Sequence, residues 1–372
     1  MKFIHLSDLH IGKRLSEHSL MDDMEHILQQ VLNTVDSEKP NGVIIAGDVY
    51  DTTVPTIDSV NMLNWFITEL SERKVTVFLI SGNHDSSDRL GFGSSIFEKN
   101  NIFFSTSVGK AMVYHTITDG SESVDVYMLP YVSPRGMGSL FPDREIKTHE
   151  DAVKAIIENT PMKLDSKKIL IAHQFVINGD VKPEISESEM ITVGGIDSVS
   201  SELFDMFDYV ALGHIHNPQS IGRDTVRYCG TPLVFSKSEV GKEKSMTVIE
   251  IDDSVSIRTI PFVPKRNVRI LKGPLQEIID NASDTDDFVY VTLTDEPINA
   301  MSRLREIYPN VVSLEFDTFK AGAGVFELDL SAESIDPEEA FIDLFRKNTD
   351  SDLTDKQRDI LHKLLSEEVI LP

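Results

Sequence analysis

Thr76-Val77-Phe78-Leu79-Ile80-Ser81-Gly82-Asn83-His84-Asp85 is the stretch that decides the fold. Residues 76–80 are β-branched, aromatic or aliphatic and carry no charge, which reads as a strand buried on both faces. At its carboxyl end the chain turns abruptly to a glycine, an amide, an imidazole and a carboxylate. The same design occurs twice toward the N-terminus: residues 42–46 run into Gly47-Asp48, and residues 2–7 run into Asp8-Leu9-His10. Amphipathic helical patterns separate these strands. Residues 20–35 place Met24, Ile27, Leu28, Val31 and Leu32 on one face, and residues 60–70 do the same with Leu63, Phe66, Ile67 and Leu70. Strand–helix–strand alternation predicts an α/β core with right-handed crossovers.

Toward the C-terminus, residues 126–129, 169–172 and 209–212 also read as buried strands. The last two are followed by His173 and by Gly213-His214-Ile215-His216. From Val226 to Phe262 the helical period disappears, and residues 226–228, 245–251 and 255–262 read as consecutive antiparallel strands joined by short turns. Residues 1–264 are therefore expected to form an α/β unit of two packed β-sheets flanked by helices. Pro264-Lys265-Arg266 reads as a linker. Residues 265–330 then repeat strand (268–271), helix (275–281), strand (288–293), helix (298–308) and strand (311–316), a small α+β capping domain. Pro274 and Pro297 stand where a proline opens a helix at its first position. Residues 331–372 predict two C-terminal amphipathic helices, the second opened by a Thr354/Gln357 capping box. Their apolar stripes either pack on their own domain or dock a partner.

Charge narrows the function classes. The 372 residues hold 61 acids against 35 bases, a formal net charge of −26. A sequence-independent DNA binder owes much of its affinity to a basic stripe and counterion release. Attraction to phosphate must therefore come from bound cations, a partner subunit or a local patch such as Lys265, Arg266, Arg269 and Lys272. That patch reads first as a solvated edge, with phosphate contact as the alternative. No apolar run approaches the roughly 20 residues of a membrane helix, so no membrane partner is expected. The opening residues turn polar by Ser7, unlike a signal peptide. Cys229 is the only cysteine, which excludes an intrachain disulfide. The expected location is the cytoplasm.

Asp8, His10, Asp48, Asn83, His173, His214 and His216 all follow strand ends. Open α/β sheets build their ligand sites there. Taken singly each is ordinary: a Gly-Asp pair is usually a turn, and Asn83 could cap a following helix. Together they form a mixed oxygen and nitrogen set that suits a borderline divalent ion such as Mn²⁺ or Fe²⁺. Glycines before Asp48, Asn83 and His214 permit close backbone approach.

The order Asp-x-His, Gly-Asp, Gly-Asn-His-Asp, His, Gly-His-x-His resembles the calcineurin-like metallophosphoesterases. Asp8-Leu9-His10-Ile11-Gly12, Gly47-Asp48-Val49-Tyr50-Asp51 and Ser81-Gly82-Asn83-His84-Asp85 are similar, more closely, to the SbcD family of bacterial nuclease subunits. So are Arg89-Leu90-Gly91-Phe92, Leu129-Pro130-Tyr131, Gly213-His214-Ile215-His216 and Gly230-Thr231-Pro232-Leu233. The resemblance is specific over residues 1–262 and looser beyond. It implies two divalent metal ions, Mn²⁺ foremost. Asp8, His10 and His216 would hold one, Asn83, His173 and His214 the other, and Asp48 would bridge them. His84 would be the catalytic residue beside the scissile phosphate.

The implied activity is hydrolysis of DNA phosphodiester bonds in repair, replication and recombination. It would be exonucleolytic on double-stranded ends and endonucleolytic on single-stranded and hairpin DNA. The implied partners are DNA, a second copy packed through helices near 57–70 and 90–97, and an SbcC-type ATPase bound by helices 337–348 and 355–368. No P-loop occurs in this chain, so any ATP dependence would come from that subunit. The implied compartment is the bacterial cytoplasm, at the nucleoid. One position departs from the pattern: archaeal and eukaryotic relatives in double-strand-break repair carry a histidine where this chain has Asp51. Asp51 therefore receives no catalytic role and either bonds His84 or orders its loop. The competing reading is a phosphatase or small-molecule phosphodiesterase on the same fold. A catalytically silent scaffold would show a degraded ligand set, and no ligand position is replaced.

Overall fold

The structure, a computed structural model, describes residues 1–163, 166–189, 197–283 and 285–317, with scattered positions between 342 and 361. Two six-stranded sheets face each other. The first is ordered Val255–Pro261, Ser245–Ile251, Lys2–Leu6, Gly42–Ala46, Thr76–Ile80, Ile102–Ser105. Lys2–Leu6 through Ile102–Ser105 are parallel, and Ser245–Ile251 with Val255–Pro261 adds to them as an antiparallel hairpin. The second is ordered Gln219–Ile221, Arg223–Tyr228, Tyr209–Gly213, Lys167–His173, Glu122–Leu129, Val113–Asp119, parallel through its four central strands.

The near-continuous apolar runs follow from burial on both faces. Inward, Phe3, Ile44, Ala46, Phe78 and Ile80 meet Val126, Met128, Ile169, Ile171, Tyr209 and Ala211 of the other sheet. Outward, the first sheet is covered by Met21–Glu38 and Ile57–Glu72 through the faces the period of 3.6 marked out. The second is covered by His149–Asn159, whose N-terminus Thr148 and Asp151 close as a capping box. Parallel strands oriented this way deliver their carboxyl ends to one rim.

The expected α/β class stands, with one correction to its strand order. Arg223–Tyr228 does not pair with Ser245–Ile251. It lies in the second sheet, parallel to Tyr209–Gly213 and antiparallel to Gln219–Ile221. The segment between carries Gly230 at φ 79° and a helical turn, Lys237–Glu239, and it takes the chain across to the first sheet. Periodicity alone could not show which sheet each strand joins.

Beyond Pro264, Val268–Gly273, Phe288–Leu293 and Val311–Phe316 form a separate parallel sheet with Leu275–Asp280 and Ala300–Arg305. Its own core holds Leu275, Val289, Val291, Leu304 and Tyr308. Neither proline occupies the expected position. Pro274 is the N-cap of its helix, with ψ 144°, and the second helix begins at Ala300 after an Asn299 cap, beyond Pro297. Arg266 Nε donates to Asp23 Oδ1 at 3.1 Å, and Lys237 pairs with Glu315 at 2.7 Å, so the small sheet is tied to the large core. The two expected C-terminal helices fall almost wholly outside the described residues. Among the described residues no helix is long and apolar enough to cross a membrane.

Phe78 is fully buried between the sheets and stacks on Phe103 at 5.5 Å. Phe78→Ala is expected to lower unfolding free energy by about 3–5 kcal/mol, read by chemical denaturation.

Candidate metal centre

The rim is built from loops that most side chains would obstruct. A Cβ on Gly82 would lie 2.0 Å from Asp48 Oδ1, one on Gly213 would lie 2.0 Å from the Ala46 carbonyl oxygen, and one on Gly47 would lie 2.4 Å from His173 Nδ1. The glycines thus let loops of both sheets close on each other. Asp8, His10, Asp48 and His214 themselves hold positive φ, at 51°, 43°, 47° and 97°. Such conformations are costly for non-glycine residues and persist where surrounding bonds impose them. Here Asp8 N donates to the Gly47 carbonyl (3.1 Å), His10 N to the Asp48 carbonyl (3.0 Å) and Ile11 N to the Val49 carbonyl (2.9 Å).

Asp85 ties the next loop to these. Its carboxylate accepts from Val49 N (3.1 Å), Tyr50 N (3.0 Å) and Gly82 N (2.9 Å), so one side chain sets the spacing of two motifs. Sequence reasoning assigns Asp85 no role; its place directly after the ligand loop is the only signal it offers.

All seven ligand candidates converge. Asp8, His10 and His216 offer atoms within 4.8 Å of one another, as do Asp8, Asp48 and His173. Asn83 Oδ1 lies 3.0 Å from His173 Nε2 and 2.9 Å from His214 Nδ1. A third grouping joins His10, Asp51 and His84. The His84 ring stands edge-on to His10, 4.9 Å between centroids, and its Nδ1 donates to the Asp51 carbonyl at 2.9 Å. Asp51 thus meets His84 through its backbone. Its carboxylate takes Lys13 Nζ at 2.9 Å and lies 3.5 Å from His10 Nδ1.

Several observations fit a divalent cation. Asp8 Oδ2 and both ring nitrogens of His10 are buried without a hydrogen-bond partner. His173 Nδ1 donates to the Ala46 carbonyl, which leaves Nε2 facing two acceptors, Asn83 Oδ1 at 3.0 Å and Asp48 Oδ2 at 3.3 Å. Three acceptor atoms meeting in a dry site require a positive centre. Burial pulls the His173 imidazole down, but the Asp48 carboxylate outweighs it and pushes the value up to about 9. Burial likewise pulls His214 down to about 3, with no overriding carboxylate. The Asp48 carboxyl is raised by burial but held well below its ordinary value by His173, His10 and His84. A proton on His173 or a cation beside it would each balance that charge. Beside the rim runs an open groove of about 580 Å³, lined by Lys13, Ser188, Phe235, Lys237 and Tyr290 among others.

A rim of two sheets carrying Asp, Asn and His at strand ends defines a metal-dependent phosphoesterase. Residues 1–218 match the family described as calcineurin-like phosphoesterase, and residues 264–349 match the family described as type 5 capsule protein repressor C-terminal domain. The chain is 31% identical over 380 residues to SbcD, the nuclease SbcCD component of Staphylococcus epidermidis, covering 98% of both chains. It therefore belongs to the calcineurin-like phosphoesterases and, among them, to the SbcD family. Among solved structures, an archaeal phosphodiesterase matches at 12% identity and TM-score 0.32, covering 70% of this chain and 100% of that one. A protein of Thermus thermophilus matches at 12% identity and TM-score 0.38, covering 69% and 98%.

Gly82→Ala drives a methyl into the Asp48 carboxylate. It is expected to weaken Mn²⁺ binding by at least about 10-fold in calorimetry, while far-ultraviolet circular dichroism keeps its wild-type shape.

Proposed function

We propose that the chain is the nuclease subunit of an SbcCD-type complex and hydrolyses DNA phosphodiester bonds at the rim. The observation that carries this reading is the assembly of Asp8, His10, Asp48, Asn83, His173, His214 and His216 at one rim, in a chain similar over 98% of its length to a nuclease subunit. Two ions are proposed, Mn²⁺ first. Asp8, His10 and His216 hold one, Asn83, His173 and His214 the other, and Asp48 reaches both. When bound, such ions supply an activated water and neutralise charge on the phosphate.

The remaining work falls to the chain's own groups. His84 has its ring fixed by the bond from Nδ1 to the Asp51 carbonyl, which leaves Nε2 as the nitrogen for proton transfer. In its protonated form that ring can give the Nε2 proton to the departing sugar oxygen. Lys13 and Lys237 line the groove beside the rim, but each is paired with a carboxylate, Asp51 and Glu315, and Glu187 lines the groove as well. The proposed ions are therefore what answers, at the rim, the repulsion expected from a net charge of −26.

The proposed division of labour is residues 1–264 for hydrolysis, 265–330 as a cap contacting DNA, and 331–372 for the ATPase partner. A homodimer is proposed through the helix Ile57–Glu72, the helix Ser94–Phe97 and the turn before it, where Ile57 (79%), Ile96 (65%) and Phe92 (84%) are large exposed apolar side chains. The proposed place of action is the nucleoid of a bacterial cytoplasm.

The test is cleavage of hairpin and single-stranded DNA by the purified chain with Mn²⁺, beside a generic phosphatase substrate. Wild-type chain is expected to cut DNA, and His84→Gln to bind Mn²⁺ normally while losing about 10²–10⁴-fold in turnover. Turnover of the generic substrate alone would replace the nuclease reading with a phosphatase one.

A further inference from the structure

Glu239 is a buried carboxylate beside the rim for which the proposed chemistry has no use. It ends the turn Lys237–Glu239, has no exposed surface, and occupies the segment that crosses between the sheets. Burying a carboxylate is expensive unless it is paired and fully hydrogen-bonded. Oε2 meets that demand: it accepts from Lys244 Nζ at 2.7 Å, Thr231 Oγ1 at 3.2 Å and Phe235 N at 3.3 Å. Oε1 faces the other way, into three serine hydroxyls: Ser188 at 2.6 Å, Ser236 at 2.8 Å and Ser186 at 3.3 Å.

Ser188 is the one that continues to the rim. Its Oγ lies 2.7 Å from His216 Nδ1, whereas Glu239 Oε1 is 3.8 Å from that nitrogen, too far to bond it directly. The direction of the chain of bonds follows from counting hydrogens. An ionised carboxylate only accepts, and a serine has one hydrogen to give. Ser188 therefore donates to Glu239 and accepts from His216. His216 must then carry its proton on Nδ1, which leaves the Nε2 lone pair bare. His173 is oriented in a comparable way, its Nδ1 donating to the Ala46 carbonyl at 2.8 Å so that Nε2 faces Asp48 and Asn83. Metal-ligating histidines depend on such a partner for tautomer, orientation and basicity.

We propose that Glu239, acting through the Ser188 hydroxyl, positions His216 as a metal ligand and sets the affinity of the ion that His216 shares with Asp8 and His10. This rests on the reading of the rim as a metal centre. Glu239 and Ser188 are positioning residues: neither touches the reacting phosphate.

The experiment uses the full chain in two measurements. In metal-free protein labelled with ¹⁵N-histidine, His216 is expected to show a protonated Nδ1 and an unprotonated Nε2, and Ser188→Ala to lose that preference. In Mn²⁺ titration calorimetry, Ser188→Ala is expected to weaken one binding step by about 10–100-fold, with the other step unchanged. Glu239→Gln weakens the same step, and Ser188→Thr, which retains the hydroxyl, restores it. Ser236→Ala serves as the control, since Ser236 bonds Glu239 Oε1 at 2.8 Å with no bond to Ser188 or His216, unlike Ser186, which lies 2.9 Å from the Ser188 hydroxyl, and it keeps both steps. Wild-type affinity and tautomer in Ser188→Ala would overturn the proposal, as would a Ser236→Ala loss equal to that of Ser188→Ala. A wild-type chain that binds no Mn²⁺ would instead overturn the metal-centre reading itself.

Discussion

The carboxylate of Asp48 sits almost without solvent at the junction of two sheets, and the arrangement of the rim follows from holding that charge there. It is 2% exposed, with Oδ1 accepting from His84 N at 2.9 Å and Oδ2 lying 3.3 Å from His173 Nε2 and 3.7 Å from His10 Nε2. A buried anion of this kind persists only beside positive charge and donors. Against the effect of its own burial, the His173 imidazole beside it is pushed up to about 9 by this carboxylate, the direction that favours positive charge there. A divalent ion would satisfy the same demand and would also engage the buried Asp8 and His10 atoms that no hydrogen bond reaches.

Architecture creates the junction. Parallel strands in both sheets end at one edge, so loops distant in sequence arrive together: His173 lies against Ala46 and Asn83, and His214 N donates to Asp8 Oδ1 at 2.9 Å. The apolar interface between the sheets fixes their separation, and glycines at 47, 82 and 213 remove the atoms that would hold the loops apart. The positive φ values of Asp8, His10, Asp48 and His214 concentrate backbone strain where the chemistry lies, and core packing over-determines it.

Much of this is legible in the sequence. Gly42–Ala46, Thr76–Ile80, Ser245–Ile251 and Phe288–Leu293 have the expected bounds, because short apolar runs ended by glycine or polar residues mark buried strands clearly. The convergence of the strand-end residues is legible for the same reason: parallel topology dictates where carboxyl ends go. Sheet membership of Arg223–Tyr228 is not, since pairing is a long-range property. Supporting groups are hidden as well. Asp85 acts by accepting backbone N–H bonds across two loops, and Glu239 and Ser188 are 51 residues apart and meet only in the fold. Nothing in their local sequence distinguishes them from surface acids and hydroxyls. Asp51, for which the sequence allows either bonding His84 or ordering its loop, does both, through its carbonyl and its carboxylate respectively.

The claim on which the rest depends is that the rim binds two divalent ions that share Asp48. The most direct measurement is anomalous diffraction at the manganese edge from crystals of the full chain grown with Mn²⁺. Two peaks about 3.5–4 Å apart, one against Asp8, His10 and His216 and one against Asn83, His173 and His214, with Asp48 touching both, are the expected result. A single peak, or peaks away from Asp48, would contradict it.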